Sequence, residues 1–171
     1  TFVTKKTTRA VADYYLGKNR ILYLGNLDAK RDWGFAGDFV EGMIRMLQHS
    51  EPDDWVLATG ETYSIKDFLT EAFSYVNLNW EDFVVYNSKY DRPNEVNYLK
   101  GDSSKALLKL GWKPRIKLDE MIEEMVQNLV REQDNLQSAF KEKYGIEVES
   151  HRQKWNRECE EEDRRIADEE Q

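Results

Sequence analysis

The sequence predicts an α/β fold, and three observations lead to that prediction. Helical patterns alternate with short apolar runs of strand length. Turn residues such as Gly25-Asn26 and Pro114 separate these segments. The strand candidates are too few to make a complete doubly wound sheet. We therefore expect an α/β unit that is smaller than a whole domain of that type.

The helices are predicted from periodicity and capping residues. Residues 2–16 place apolar side chains on one face, with Gly17 suited to the C-terminal end. Residues 37–48 form a second helix, and a capping box of Ser64 and Asp67 opens a third. Ser103 is expected to cap a short helix ending at Leu110-Gly111, and a last helix starts near Leu118.

Strands are predicted at 21–24, 55–58 and 82–86, where short apolar runs end at turn residues. In the second helix the apolar stripe consists of Val40, Met43, Ile44 and Leu47. The expected core of the body is Val84, Leu107, Leu110, Trp112, Met121 and Met125, and the aromatic set Trp33, Phe35, Phe39, Trp55 and Phe73 is also expected to be core.

The last forty or so residues differ from the rest. Acidic and basic residues crowd together there and apolar residues are scattered, which predicts a solvated helix that is partly frayed or disordered. We therefore divide the chain into a body, 1–132, and a charged helical tail, 133–171. The sequence opens at Thr1, directly within a predicted helix, so we expect a piece of a longer protein.

Charge and composition exclude several classes of function. The net charge of −8 repels nucleic acid and anionic lipid, so we expect neither as a partner. No apolar run reaches the ~20 residues that cross a bilayer. Cys159 is the only cysteine, which favours a reducing, cytoplasmic compartment. His49 and His151 are too isolated for a metal site, so no metal is predicted.

Several stretches carry a family resemblance. They are TFVTKKTTRA at 1–10, YLGNLDAKRDWGFAGD at 23–38 and YDRPNEV at 90–96, followed by LKGDSSKA at 99–106 and LGWKP at 110–114. In order and spacing the sequence resembles the second half of GDP-mannose 4,6-dehydratases, members of the extended short-chain dehydrogenase/reductase family. The resemblance implies the C-terminal, substrate-binding part of a Rossmann-type enzyme.

The resemblance also implies an activity. Such enzymes are lyases that use NADP to convert GDP-mannose to GDP-4-dehydro-6-deoxy-mannose, on the route to GDP-fucose, and the full-length protein is expected to be a homo-oligomer. The G-x-G-x-x-G turn that holds the cofactor does not occur in this sequence. Tyr14 and Lys18 have the spacing of the family's catalytic Tyr-x-x-x-Lys, but they match a later helix. We therefore predict no catalytic residue here and an inactive chain.

Two arginines are the candidate diphosphate ligands. Arg31 precedes a helix, and Arg92 precedes Pro93, which stiffens its loop. The planar fork of arginine forms paired hydrogen bonds to phosphate oxygens. The alternative is that each arginine forms a local ion pair, for instance with Asp32 or Asp91.

Four further residues are candidate substrate ligands. A carboxylate at Glu95 suits the vicinal hydroxyls of ribose, and the resemblance supports that role over a helix-start Glu. Lys6, Thr4 and Asn26 resemble positions that contact guanine or sugar, although Asn26 is also a typical turn residue.

Two other functions remain open on sequence alone. The first is another nucleotide-sugar epimerase or reductase of the same superfamily, which the specific run from Gly25 to Gly34 disfavours. The second is a non-catalytic binding module whose acidic tail docks a partner.

Overall fold

A computed structural model of the protein describes residues 2–18 and 21–144. Within these ranges short strands are interspersed among the helices, in agreement with the predicted α/β class. The elements are α1 (Val3–Tyr15), β1 (Leu22–Leu24), β2 (Lys30–Arg31), α2 (Ala36–Gln48), β3 (Tyr63–Ser64), α3 (Ile65–Ser74), β4 (Val84–Tyr86), α4 (Ser104–Leu110) and α5 (Leu118–Tyr144).

The described residues fall into two compact units. The first contains the residues before Tyr23 together with those from Met125 onward, and the second runs from Tyr23 to Glu124. The predicted division at residue 132 stays a prediction.

In the first unit, α1 follows the predicted helix closely. It buries Val11 completely, together with Thr7 and Thr8, and Gly17 adopts a positive φ of 77° just beyond its end. A side chain is disfavoured at such φ values, so the glycine suits this turn. Lys18 pairs with Asp13 at 3.3 Å.

In the second unit, α2 faces the core with a polar and a small residue. Asp38 and Gly42 are its buried residues, and a Cβ on Gly42 would lie 2.6 Å from the Leu57 side chain. The predicted apolar stripe lies on the exposed face instead, where Val40, Met43, Ile44 and Leu47 are 50–88% exposed. Periodicity correctly predicted a helix with an apolar face, but that face is not the one the unit buries.

The strands form two small sheets, one of β1 with β4 and one of β2 with β3. Strands β2 and β3 are antiparallel. The strand predicted at 55–58 is wrong: the segment has no strand assignment, although Ala58 is buried. No backbone–backbone hydrogen bond joins residues 55–58 to any described residue. An apolar run becomes a strand only when a neighbouring strand pairs with it.

Two helix caps test the predicted start signals. At α3 the capping box is confirmed, since Ser64 Oγ accepts from the Asp67 N–H at 3.0 Å and the Asp67 carboxylate accepts from the Ser64 N–H at 2.7 Å. Ser103 precedes α4 as predicted, but its side chain makes no capping bond. Asp102 Oδ1 instead accepts from the Ser104 N–H at 2.9 Å.

The predicted core is confirmed at some positions only. Trp112 and Met121 are buried, and so is Phe73, whereas Leu107 is 50% exposed. Val84, Leu110, Met125 and the four other aromatic residues of the predicted set are partly exposed.

The end of α5 carries exposed side chains, including Arg131 and Leu136. The predictions made for the tail beyond Tyr144, including those for His151, Trp155 and Cys159, lie outside the described residues. No helix within the described ranges combines the length and the apolar composition that crossing a bilayer requires.

Candidate functional site

Arg31 lies in the second unit at the end of β2, where backbone and side-chain acceptors hold its guanidinium. Nη1 donates to the carbonyl of Lys30 at 2.8 Å and to that of Val96 at 2.6 Å. Nη2 donates to Glu95 Oε1 in an ion pair whose side chains are only 19% and 20% exposed. The structure therefore brings together two predicted ligands that are 64 residues apart.

The segment that carries Arg92 and Glu95 is fastened at both ends, and we call residues 87–101 the strap. At its start the Asn87 N–H donates to the Leu24 carbonyl at 2.8 Å. Near its end the Lys30 N–H donates to the Asn97 carbonyl at 2.8 Å, and the Leu99 N–H donates to the Lys30 carbonyl at 3.1 Å. The strap consequently runs beside the segment that carries Arg31.

Gly25 allows a close approach between the Asn26 turn and the strap. A Cβ built on Gly25 would lie 2.7 Å from the carbonyl oxygen of Tyr90, which no side chain tolerates. Asn26 itself accepts from the Asp28 N–H at 3.0 Å through Oδ1, so it forms an Asx turn. Its amide nitrogen forms no bond to a described residue.

Arg92 is exposed on the strap, directly before Pro93. Among the described residues none accepts a hydrogen bond from its guanidinium or pairs with it. Asp91, its suggested local partner, accepts from the Tyr86 hydroxyl instead. Arg31 likewise pairs with Glu95, and not with Asp32.

Lys6 and Thr4, the remaining candidates, are on α1 in the first unit and are partly exposed. The Thr4 carbonyl accepts from the Thr8 hydroxyl at 3.1 Å.

Asp32 is the functional candidate that the sequence analysis missed. Its Oδ1 accepts from the Thr59 N–H at 2.9 Å and from the Thr59 hydroxyl at 2.5 Å. Its Oδ2 accepts from the N–H groups of Gly60 at 3.0 Å and Gly101 at 3.1 Å. Burial alone would raise the pKa of Asp32, but these hydrogen bonds to its charged form outweigh burial and hold the pKa below its ordinary value. No local pattern predicts this role, because the partners are 27 to 69 residues away.

The two glycines at the start of α2 lie against aromatic rings. A Cβ on Gly34, just before the helix, would meet the ring of Phe39 at 2.6 Å, and one on Gly37, the second residue of the helix, would meet the ring of Phe35 at 2.5 Å. Within the described ranges, no group of three or more His, Cys, Asp or Glu side chains could hold a metal ion.

Comparison with solved structures defines the class of protein. The fold is similar to that of RMD from Pseudomonas aeruginosa complexed with NADPH, with a TM-score of 0.68 at 20% identity over 77% of this chain and 43% of that chain. The fold is thus α/β, and it corresponds to part of that longer chain.

Sequence comparison gives the family. The family model for GDP-mannose 4,6 dehydratase matches residues 1–125. GDP-mannose 4,6 dehydratase 1 of Arabidopsis thaliana is 51% identical over 125 residues, and the GDP-mannose 4,6 dehydratase of Homo sapiens is 46% identical over 142. The chain belongs to the GDP-mannose 4,6 dehydratase family.

The match covers most of this chain but a minor part of its relatives. The aligned region is 73% of this chain in both comparisons, and it is 35% of the Arabidopsis protein and 38% of the human one. The chain therefore spans little more than a third of the length of these relatives.

Proposed function

We propose that this chain is the GDP-sugar-binding part of a GDP-mannose 4,6-dehydratase, the lyase that forms GDP-4-dehydro-6-deoxy-mannose. The observation that carries the proposal is the Arg31–Glu95 pair beside the strap, in a chain of this family. The acceptors around Arg31 hold the guanidinium in one orientation, which reduces the entropy that ligand binding would otherwise cost.

Arg31 keeps donors for a phosphate group. A guanidinium has five N–H donors, and three of them go to Lys30, Val96 and Glu95. One N–H remains on Nε and one on Nη2. Guanidinium N–H groups form charge-assisted hydrogen bonds to phosphate oxygens. We propose that these two donors bind the diphosphate.

Arg92 is the second cation of the proposed diphosphate site. Its exposed guanidinium has no carboxylate partner among the described residues, so its charge is not neutralised locally. The strap attaches close to Arg31 on the far side of Pro93, which restricts the backbone between the two positions. We propose that Arg31 and Arg92 act on the same diphosphate.

Glu95 can bind the ribose while it remains paired with Arg31. Only Oε1 is bonded to the guanidinium, and Oε2 has no partner among the described residues. A carboxylate oxygen accepts hydrogen bonds from the hydroxyls of a ribose. The Asn26 amide nitrogen, Lys6 and Thr4 are proposed as further contacts to guanine or sugar.

The finer properties of the complete protein are proposed from the family. NADP and the catalytic groups would come from residues outside these 171, because the G-x-G-x-x-G turn that holds the cofactor does not occur in this sequence. The complete protein is proposed to be a cytoplasmic homo-oligomer that acts on GDP-mannose, without nucleic-acid or membrane partners.

Calorimetry with GDP, UDP and dTDP tests the binding proposal on the 171-residue chain. We expect GDP to bind most tightly, and Arg31→Ala to weaken it by about 2–3 kcal/mol because a charged hydrogen-bond pair is lost. Lys109→Ala is the charge-matched control, since its ammonium pairs with Asp53 at 3.3 Å, outside the proposed site. Equal affinity for UDP or dTDP would favour a different nucleotide-sugar enzyme, and no nucleotide binding would leave an interaction module.

The activity proposal has its own assay. Incubated with GDP-mannose and NADP, the chain alone should form no 4-keto product, because the G-x-G-x-x-G turn that holds the cofactor does not occur in this sequence. Any turnover would show that the catalytic groups are not supplied from outside this sequence.

A further inference from the structure

Asp32 has no capacity left for a ligand. Each carboxylate oxygen accepts two hydrogen bonds, and together the four bonds fill the positions that an ionised carboxylate offers. A negative charge would also repel a diphosphate. A direct contact between Asp32 and the proposed substrate is therefore disfavoured on both counts.

The partners of Asp32 join three separate stretches of chain. Thr59 and Gly60 belong to the turn before β3, Gly101 ends the strap, and Asp32 itself follows Arg31 directly. Gly101 cannot carry a side chain, since a Cβ there would lie 2.2 Å from the Cβ of Ala58. The strap is thus held firmly at the residue that donates to Asp32.

The same strap provides the carboxylate and the carbonyl that orient Arg31. Glu95 and Val96 lie five or six residues before Gly101 in sequence, so the bond from Gly101 to Asp32 is a further link between the strap and the segment that carries Arg31. Without this link, β2 and the end of the strap would still be joined by the two backbone bonds of Lys30. The Lys30 bonds pair β2 with residues 97–99 of the strap. The bond to Asp32 holds Gly101, the last residue of the strap.

We propose that Asp32 is a positioning residue for diphosphate binding, which holds the end of the strap so that Arg31, Glu95 and Arg92 meet one ligand in a fixed geometry. This inference rests on the proposed function, because it assigns to Asp32 the preorganisation of that same site. Its effect should be larger on the phosphate part of the ligand, which Arg31 and Arg92 are proposed to contact, than on the nucleoside part, where Glu95 is the proposed contact from the strap.

Asp32→Asn is the discriminating substitution. It keeps the shape of the side chain but replaces one acceptor oxygen with an N–H₂ group, which cannot accept from the N–H groups that now face it. Asp38→Asn is the matched control. Asp38 also accepts from two backbone N–H groups, those of Arg115 and Ile116 at 2.8 and 3.0 Å, but it does not touch Arg31 or the strap in the described contacts.

The experiment measures GDP and guanosine affinity of the 171-residue chain and its variants by calorimetry, below the melting temperature of each. We expect Asp32→Asn to weaken GDP about tenfold, the effect of roughly one charge-assisted hydrogen bond, while guanosine changes less than about twofold. Asp38→Asn should lower the melting temperature and leave the ratio of GDP to guanosine affinity unchanged.

Thr59→Val is a second variant that keeps the proposal testable if Asp32→Asn does not fold. It removes the hydroxyl that donates to Asp32 at 2.5 Å and accepts from the Glu61 N–H at 3.2 Å, but it keeps the Thr59 N–H, so it should weaken GDP by a smaller factor, about threefold, with a smaller effect on guanosine. Unchanged GDP affinity in a folded Asp32→Asn, or an equal loss for GDP and guanosine, overturns the positioning role. Absence of GDP binding in the unsubstituted chain overturns the proposed function and this inference with it.

Discussion

Asp32 and Asp38 are six residues apart in the sequence, and they organise two regions of the second unit by the same means. Each carboxylate gathers backbone N–H groups from distant segments. Asp38 is 2% exposed and fastens Arg115 and Ile116, the residues just before α5. Asp32 is partly exposed, and its partners end the strap beside Arg31.

The difference lies in what is next to each carboxylate. The side chain of Arg115, which Asp38 contacts, is committed to Asp38 and Glu41, so this region uses its charges for folding. Arg31, beside Asp32, has two N–H donors without an acceptor among the described residues. Carboxylates of the same type thus stabilise the fold in one region and lie beside the proposed binding site in the other.

The largest expected loss of stability comes from replacing Asp38, the buried carboxylate. Asp38→Ala leaves two backbone N–H groups without their acceptor in a buried place, and we expect a loss of about 3 kcal/mol in unfolding free energy. Asp32→Ala should cost less, because water can reach that partly exposed site. Urea unfolding of both variants measures the difference. An equal loss would remove the distinction between the two regions.

Lowering the pH should reduce the stability that Asp38 and Asp32 each contribute. Burial raises the pKa of Asp38, but hydrogen bonds from Ile116 and Arg115 and the charge of Arg115 outweigh it, so the pKa lies below its ordinary value, as it does for Asp32. A carboxyl whose pKa is lowered by folding contributes stability above its unfolded pKa, and this is lost as the pH falls through the folded pKa.

Unfolding free energy should therefore fall as the pH is lowered below about 4, near the ordinary aspartate pKa. Urea titrations at a series of pH values test this, and Asp38→Asn should show a shallower loss than the parent chain. The same slope in the variant would mean that other carboxylates, such as Asp67 with its lowered pKa, account for the acid sensitivity.

Much of the fold and part of the site could be predicted from sequence, because their causes are local. The capping box at Ser64 and the positive φ of 61° at Gly111 depend on neighbouring residues. Arg31 and Glu95 were found through the family resemblance, and the structure places them in contact. The predictions that were wrong concern features that depend on residues far away in the sequence. The stripe of α2 did not reveal which face is covered, and residues 55–58 did not reveal whether a strand pairs with them.

The contacts of Asp32 likewise depend on residues far away in the sequence. The sequence suggests Asp32 only as an ion-pair partner of Arg31, but its carboxylate accepts hydrogen bonds from two other segments. The candidate ligand residues Arg31 and Glu95 have a chemical signature in the sequence, whereas the hydrogen-bond partners of Asp32 are defined only by the folded chain.

The first unit offers a smaller contrast between a satisfied and an unsatisfied polar group. Thr7 and Thr8 are both fully buried on α1, but only Thr8 has a partner for its hydroxyl, the Thr4 carbonyl at 3.1 Å. Thr7 Oγ1 has none among the described residues. Thr7→Val should therefore stabilise the chain by about 1 kcal/mol, since a buried unpaired hydroxyl is removed.

Thr8→Val is the control for Thr7→Val, because it removes a hydroxyl that is bonded. Thermal and urea unfolding of both variants should show stabilisation for Thr7→Val alone. Equal stabilisation of the two would mean that the gain comes from the apolar side chain and has nothing to do with the missing partner.

The smallest effect is expected at the other end of the chain, where the described side chains of α5 beyond Arg131 are exposed. Exposed charge pairs on a helix contribute only a few tenths of a kcal/mol each. Ending the chain after Glu132 should therefore lower the melting temperature by about 2 °C or less. The competing view is that Phe140, Tyr144 and Trp155 fold back and cover a surface that the missing Rossmann half would leave exposed, in which case truncation would cost several degrees. Hydrogen exchange separates the two views: rapid exchange of the amides around Trp155 agrees with a dispensable tail, and protected amides there would show that the tail is part of the packed structure.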